Sequence, residues 1–252
     1  MKKIILIMSV AFIFLASSCK KETIESPKPY IFENIGGLIS WFPFNENFKD
    51  SVGNSKIEFF KSSGSEVLDL KLFNKFVDDR SGIKNNSCQL FKNYIDSIFS
   101  PVPCSFSIKT EKKSNNSAVN VWVKLENIYC DNYKFVVAND SLFYMAIKFN
   151  NDSIFLKTTI NSKVYNKSIG KTTNNNWIDL AFVLRKNYPS DNTSTVFVYL
   201  NSEKVDSISN NYLNKEGIGL NEFSSNGFFT IDDLKIWDKA LSDEEIKNEF
   251  LK

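Results

Sequence analysis

The 252-residue chain carries 31 Lys and Arg against 29 Asp and Glu, and it contains no histidine. That absence excludes Ser-His-Asp triads, Cys-His dyads, histidine general bases and histidine-ligated zinc, so any catalysis would fall to carboxylates, Lys, Tyr or Cys. Two of the basic residues, Lys2 and Lys3, lie within residues 1–18, which leaves 29 basic against 29 acidic residues from Cys19 onward, a balance with no electrostatic footprint for nucleic acid.

The first 18 residues read as a secretory signal peptide: Lys2 and Lys3, an apolar run from Ile4 to Leu15, then the small Ala16, Ser17 and Ser18. The run is shorter than the roughly 20 residues of a membrane-spanning helix, and Lys20, Lys21 and Glu22 follow at once. Leu15-Ala16-Ser17-Ser18-Cys19 resembles the bacterial lipobox, which implies cleavage before Cys19, lipidation of its thiol and a membrane partner through the lipid anchor. Lys20-Lys21-Glu22 resembles the charged segments that send some lipoproteins to the cell surface. The expectation is an outer-membrane lipoprotein of a Gram-negative envelope, exposed on the cell. Residues 19–36, with Pro27 and Pro29 among polar residues, read as a tether, and the folded domain is expected over 37–252.

Beyond the tether the pattern is short strands separated by Asn, Ser, Asp and Gly. In SAVNVWVKLE, Val119, Val121, Val123 and Leu125 share one face, while Asn120, Trp122 and Lys124 share the other, which is the period of a half-buried strand. FYMAIKFNNDSIFLKTTI predicts a hairpin turning at Asn150-Asn151-Asp152. WIDLAFVLR is apolar on both faces and reads as central in its sheet. STVFVYLNSEKVDSI predicts a second hairpin, turning at Asn201-Ser202-Glu203. About a dozen such strands point to an all-β sandwich of two antiparallel sheets. One helix is expected, near the C-terminus: Ser242 is an N-cap, Glu245 completes a capping box and Leu241 staples onto Ile246. Of the cysteines after Cys19, Cys88 sits where a strand buries a small residue, and Cys104 with Cys130 is the pair considered for a disulfide.

Four blocks, in order, resemble the laminin G-like, concanavalin A-like domains of bacterial surface proteins. They are GLISWFPFNENFKDSVGN (37–54), DDRSGIKNNSCQLFKNYIDSI (78–98), the Trp strand NNNWIDLAFVLRK with the hairpin TVFVYLNSEKV, and GFFTIDDLKIWDKALSDEEIKNEF (227–250). The resemblance implies a concanavalin A-like jelly roll with a short C-terminal helix, and a binding rather than catalytic role toward glycan or another surface molecule. The chain departs from the family's first turn in having Asn45 for Asp, and Glu46 and Phe48 where small residues are usual.

The residues present argue against catalysis. Glycoside hydrolysis needs two carboxylates about 5 to 9 Å apart. The chain lacks the Glu-x-Asp-x-x-Glu strand of sandwich hydrolases, and Asp243-Glu244-Glu245 is better read as the first turn of a helix, where negative charge is favoured. The chain is therefore expected not to be an enzyme, with a divergent polysaccharide-degrading enzyme as the weakest alternative. Asn45, Asn47, Asp50, Asp232 and Asp233 are candidate oxygen ligands of a structural calcium, if the first and last strands are neighbours. The alternative for the aspartates is hydrogen bonding to turn amides. Tyr129, Tyr133, Tyr188 and Tyr212 are candidate glycan-stacking residues, or else pack beneath their own loops. The functional expectation is a lipid-anchored envelope protein binding carbohydrate, with a structural or adhesive protein that binds another protein as its rival.

Overall fold

In the computed structural model, the described residues are 36–252 apart from 62–63, 68–73, 91–103, 110–115, 126–132, 140–142, 151, 174–175, 187–192, 215–219, 221 and 227–228. Cys19, Cys130, Tyr129 and Tyr188 lie outside them, and so does the Cys104–Cys130 pairing.

Among the described residues sixteen strands, numbered β1 to β16 in chain order, form two antiparallel sheets of eight. Sheet A runs in the order β14 (Glu203–Asn210), β13 (Ser194–Leu200), β12 (Trp177–Lys186), β7 (Ser117–Leu125), β16 (Phe229–Trp237), β5 (Ser87–Leu90) and β4 (Asn74–Val77), with β1 (Leu38–Phe42) also paired to β16. Sheet B runs β11 (Lys163–Lys171), β10 (Ser153–Ile160), β9 (Phe143–Asn150), β8 (Tyr133–Asn139), β15 (Glu222–Asn226), β6 (Cys104–Lys109), β2 (Lys56–Lys61) and β3 (Gly64–Val67).

The inward faces follow the period-two pattern. Val119, Val121 and Val123 of sheet A join Met145, Ile147 and Phe149 of sheet B in one buried cluster. Phe229 of sheet A packs against Phe135 and Phe149 of sheet B, with ring centroids 4.2 and 5.6 Å apart. Strand β12 lies between β7 and β13, and both of its faces are buried, as its doubly apolar sequence predicts. Cys88 is buried on β5, in register with Phe76 and Ile231.

Both predicted hairpins form. The β9–β10 pair closes with Asn150 opposite Ser153, and the β13–β14 pair with Leu200 opposite Glu203, where Asn201 and Ser202 take positive φ of 51° and 65°. A further tight hairpin, β10–β11, turns at Asn161 and Ser162 with φ of 46° and 66°, the same mirror-image turn. The first and last strands are neighbours, with Trp41 opposite Lys235.

The C-terminal helix, α1 (Asp243–Phe250), carries the complete capping box between Ser242 and Glu245, and Leu241 and Ile246 are both buried. Among the described residues no helix is long and apolar enough to cross a membrane.

Candidate functional site

Two surfaces are candidates: the junction of the first and last strands, where a metal was expected, and the outward faces of the two sheets.

At the junction, β16 exchanges partners. Phe229 to Ile231 pair with β5 and Leu234 to Trp237 pair with β1, while a bulge between Asp232 and Lys235 offsets β16 from β7. Asp233 sits in that bulge with a positive φ of 46°. The two carboxylates are gripped by one side chain: Arg80 donates from Nη1 to Asp232 Oδ2 at 2.6 Å and from Nη2 to Asp233 Oδ2 at 2.8 Å. The Trp41 indole donates to Asp233 Oδ1 at 2.8 Å. Burial, then the neighbouring Asp233 charge, pushes the Asp232 carboxyl well above its ordinary value. Burial also opposes ionisation of Asp233, but Lys235, Arg80 and the Trp41 indole outweigh it and hold that carboxyl low.

Asp50 lies on the backbone side of the same tryptophan and serves a different turn. Its Oδ1 accepts from the amides of Trp41, Val52 and Gly53, and its Oδ2 from Ser40 Oγ and the Ser55 amide, at 2.5 to 3.1 Å. These bonds, led by Ser40, overcome burial and depress its pKa. Gly53 is required here, because a Cβ would lie 2.2 Å from the Ile39 carbonyl oxygen. Asn47 closes a local turn, donating to the Asn45 carbonyl at 2.6 Å and accepting from the Lys49 amide at 2.9 Å.

The five expected calcium ligands are therefore divided between turn capping and an arginine clamp. Among the described residues no three or more His, Cys, Asp or Glu are placed to hold a metal ion. Arg80 supplies positive charge to the Asp232–Asp233 pair. Its sequence signal was the Asp-Arg-x-Gly loop, in which Asp79 Oδ1 accepts from the Ser81 and Ile83 amides, each at 2.8 Å, and Gly82 takes a φ of 79°. The departures in the first turn also have a reason. Glu46 holds a positive φ of 56° while its side chain accepts from Asn85 Nδ2 at 3.0 Å, and Phe48 packs on Phe44 and Phe76.

Helix α1 packs on part of the outward face of sheet A. Tyr199 and Lys204 donate to Asp243 at 2.7 and 2.9 Å, Trp122 stacks on Phe250, and Arg80 lies 4.9 Å from the Trp122 ring centroid. Beneath the helix the Lys235–Glu249 ion pair is 2.8 Å long, and each side chain is only 3% exposed. Asp179 and Asn120 are buried in the same layer and hydrogen-bonded to each other.

The outward face of sheet B is different, and among the described residues no helix packs over it. Opposite the core-facing Ile154, Leu156 and Ile160 of β10 stand Ser153, Phe155, Lys157 and Thr159, all half-buried. On β9 the outward residues are the half-buried Tyr144, the covered Ala146 and the exposed Lys148 and Asn150. On β11 they are Val164, Asn166 and Ser168, all exposed. Register aligns these as rows across the strands: Tyr144–Thr159–Val164, Ala146–Lys157–Asn166 and Lys148–Phe155–Ser168. Burial raises the Tyr144 pKa, so its hydroxyl stays a hydrogen-bond donor at neutral pH. The surface thus offers two aromatic rings, two ammonium groups and several neutral hydrogen-bonding side chains.

Of the expected glycan-stacking tyrosines, Tyr133 opens β8 in register with Phe149, and Tyr212 lies in a 3-10 helix, Asn211–Asn214; their side chains are outside the described set. The sequence reading missed Tyr144 and Phe155. Their signal was present in FYMAIKFN and SIFLKTTI, whose alternation sets an aromatic and a lysine on the outward side of each strand.

A family model described as the concanavalin A-like lectin/glucanases superfamily (Laminin_G_3) matches residues 105–247. The chain belongs to this superfamily. Similar solved structures show the same fold at low identity. Domain 4 of AbnA, a GH43 extracellular arabinanase from Geobacillus stearothermophilus solved in complex with arabinotriose, is 20% identical with a TM-score of 0.55, over 84% of this chain and 97% of that one. The binding domain of botulinum neurotoxin DC, in complex with rat synaptotagmin II, is 12% identical with a TM-score of 0.57, over 85% of this chain and 51% of that one. A botulinum neurotoxin type C structure, whose cell entry depends on two ganglioside molecules, is 11% identical with a TM-score of 0.57 and the same coverage. The chain therefore spans about half the length of the neurotoxin domains it matches. No curated protein matches it at a significant level.

Proposed function

We propose that this superfamily member is a non-catalytic glycan-binding module, tethered to the outer membrane of a bacterial envelope by lipid on Cys19, and that the outward face of sheet B is its binding surface. The observation carrying this reading is the contrast between the two outward faces. On sheet A, Trp122, Tyr199, Lys204 and Lys235 are taken up by α1, and the half-buried rings of Trp177 and Phe197 by Lys124, Arg185 and Lys204, whereas sheet B presents Tyr144 and Phe155 beside polar side chains with no helix over them among the described residues. Flat rings stack on the apolar faces of sugars, and flanking Asn, Ser, Thr and Lys groups bond the hydroxyls. A binding rather than hydrolytic role is supported by the outward positions of β9, β10 and β11, which carry no carboxylate, whereas a glycosidase needs two. The arabinotriose-bound arabinanase domain and the ganglioside-dependent toxin are consistent with a glycan partner.

The second reading, a protein partner, is favoured by Val164 and Tyr165, which are 62% and 46% exposed on the edge strand β11. A glycan array separates the two. Saturable binding that Phe155→Ala abolishes without lowering the melting temperature supports the first; an array without hits supports the second. Mass spectrometry of the mature N-terminus tests the anchor, with acylated Cys19 expected and an unmodified N-terminus elsewhere contradicting it.

A further inference from the structure

The face of sheet B has a charge pattern that narrows its ligand. We propose that it selects acidic polysaccharide, chains bearing uronate or sulfate groups, over neutral glycan; this rests on the reading that the face binds glycan at all. Lys148 stands opposite Phe155 on one side and opposite Lys134 on the other. Lys157 is opposite Ala146 and Asn166, one diagonal step from Lys148. Directly opposed residues lie about 5 Å apart and diagonal ones about 7–8 Å, so the lysines bracket Phe155 within the reach of one short oligosaccharide.

Neither Lys148 nor Lys157 has an acidic partner among the described residues, a state they share with Lys49, Lys75, Lys84, Lys163 and Lys247, but these two stand together beside Phe155 on one face. The adjacent carboxylate, Asp152 in the β9–β10 turn, accepts from Ser153 Oγ and faces Lys171 at 3.8 Å. Lys148 and Lys157 are diagonal neighbours on one face, so an anion laid between them is attracted by both. The chain from Cys19 onward is charge-balanced, so this excess is local to the face. Small and neutral neighbours, Ala146, Ser168, Asn166 and Thr159, fit a hydroxyl-rich chain lying flat across the strands.

The test is calorimetric titration of the full domain with polygalacturonate and with the same polymer fully methyl-esterified, which differ in charge but share a backbone. The free acid is expected to bind about five- to tenfold tighter, as one or two exposed ion pairs allow, with the gap closing as salt rises. The Lys148→Gln/Lys157→Gln double variant is expected to lose the gap at an unchanged melting temperature. Equal binding of both polymers, abolished by Phe155→Ala, overturns the charge selection while leaving glycan binding by this face intact. Failure to bind either this acid or a sulfated polysaccharide, with a neutral array hit abolished by Phe155→Ala, has the same meaning. If neither polymer nor any array glycan binds, both readings fall. Lysine-dependent binding to phosphatidylglycerol vesicles without polymer binding overturns the inference in favour of a membrane surface.

Discussion

Replacing Asp179 with Asn tests the buried polar layer beneath α1. The Asp179 carboxylate has one oxygen bonded to Asn120, and the other has no hydrogen-bond partner among the described residues. Burial pushes this carboxyl from its ordinary 3.8 to about 7, against the opposing pull of the Asn120 hydrogen bond and the Lys235 and Arg80 charges. In the unfolded chain the group ionises near its ordinary value. Between those two values the unfolded state has released a proton that the folded state keeps, so stability is lost as pH rises. A shift of about 3 units at about 1.4 kcal/mol per unit is a penalty on the order of 4 kcal/mol, absent below about pH 4 and complete above about pH 7. Asn has the same shape and no charge to desolvate. Urea unfolding of both proteins from pH 4 to pH 8 is expected to show the variant gaining about 1.4 kcal/mol per pH unit over wild type, levelling off above about pH 7. Subtraction removes the contribution of Asp232, which is common to both. A difference that stays flat across this range would mean that Asp179 is ionised in the folded protein, and the reasoning would be wrong.

Arg80→Ala removes the side chain that bonds both Asp232 and Asp233 and takes a counter-charge from two buried carboxyls; a loss of about 3–5 kcal/mol in urea unfolding is expected, and Arg80→Lys should not restore it, because two separate guanidinium nitrogens make the contacts. Glu249→Leu takes the paired carboxylate from the Lys235 ammonium beneath α1 and is expected to lower the melting temperature by several degrees, less than Lys235→Met does, because Lys235 also supports the buried Asp233 charge. Melts in calcium and in chelator are expected to superimpose, because backbone amides and Arg80 already occupy the donor oxygens; an ion at about 100 times its Kd would add about 2.7 kcal/mol, and a rise abolished by Asp232→Asn would restore the metal reading.

Fold class, hairpins and capping box were legible because each rests on a local rule: period two in SAVNVWVKLE, αL-tolerant Asn at the turns, and Ser and Glu three residues apart. The β11 strand was not legible. As an edge strand it is exposed along most of its length, so its sequence, KVYNKSIGK, lacks the apolar alternation that reveals a buried partner. The acidic pair Asp232–Asp233 was visible in the sequence, but its counter-charge was not, because Arg80 is 152 residues away from Asp232 and only the β5–β16 pairing brings it close. The same holds for the open face. Each lysine and aromatic was visible on its own strand, yet their alignment depends on the β8–β9–β10–β11 register, which no single segment encodes.

The central claim, that the outward face of sheet B binds glycan, is tested most directly by amide chemical-shift mapping of the isotopically labelled domain during titration with an oligosaccharide identified on the array. The account predicts that saturable shifts gather at Tyr144 to Lys148, Phe155 to Thr159 and Val164 to Ser168, in the rows set by the strand register. Shifts gathering instead around the Asp50 and Asp79 turns, or along α1, would contradict it.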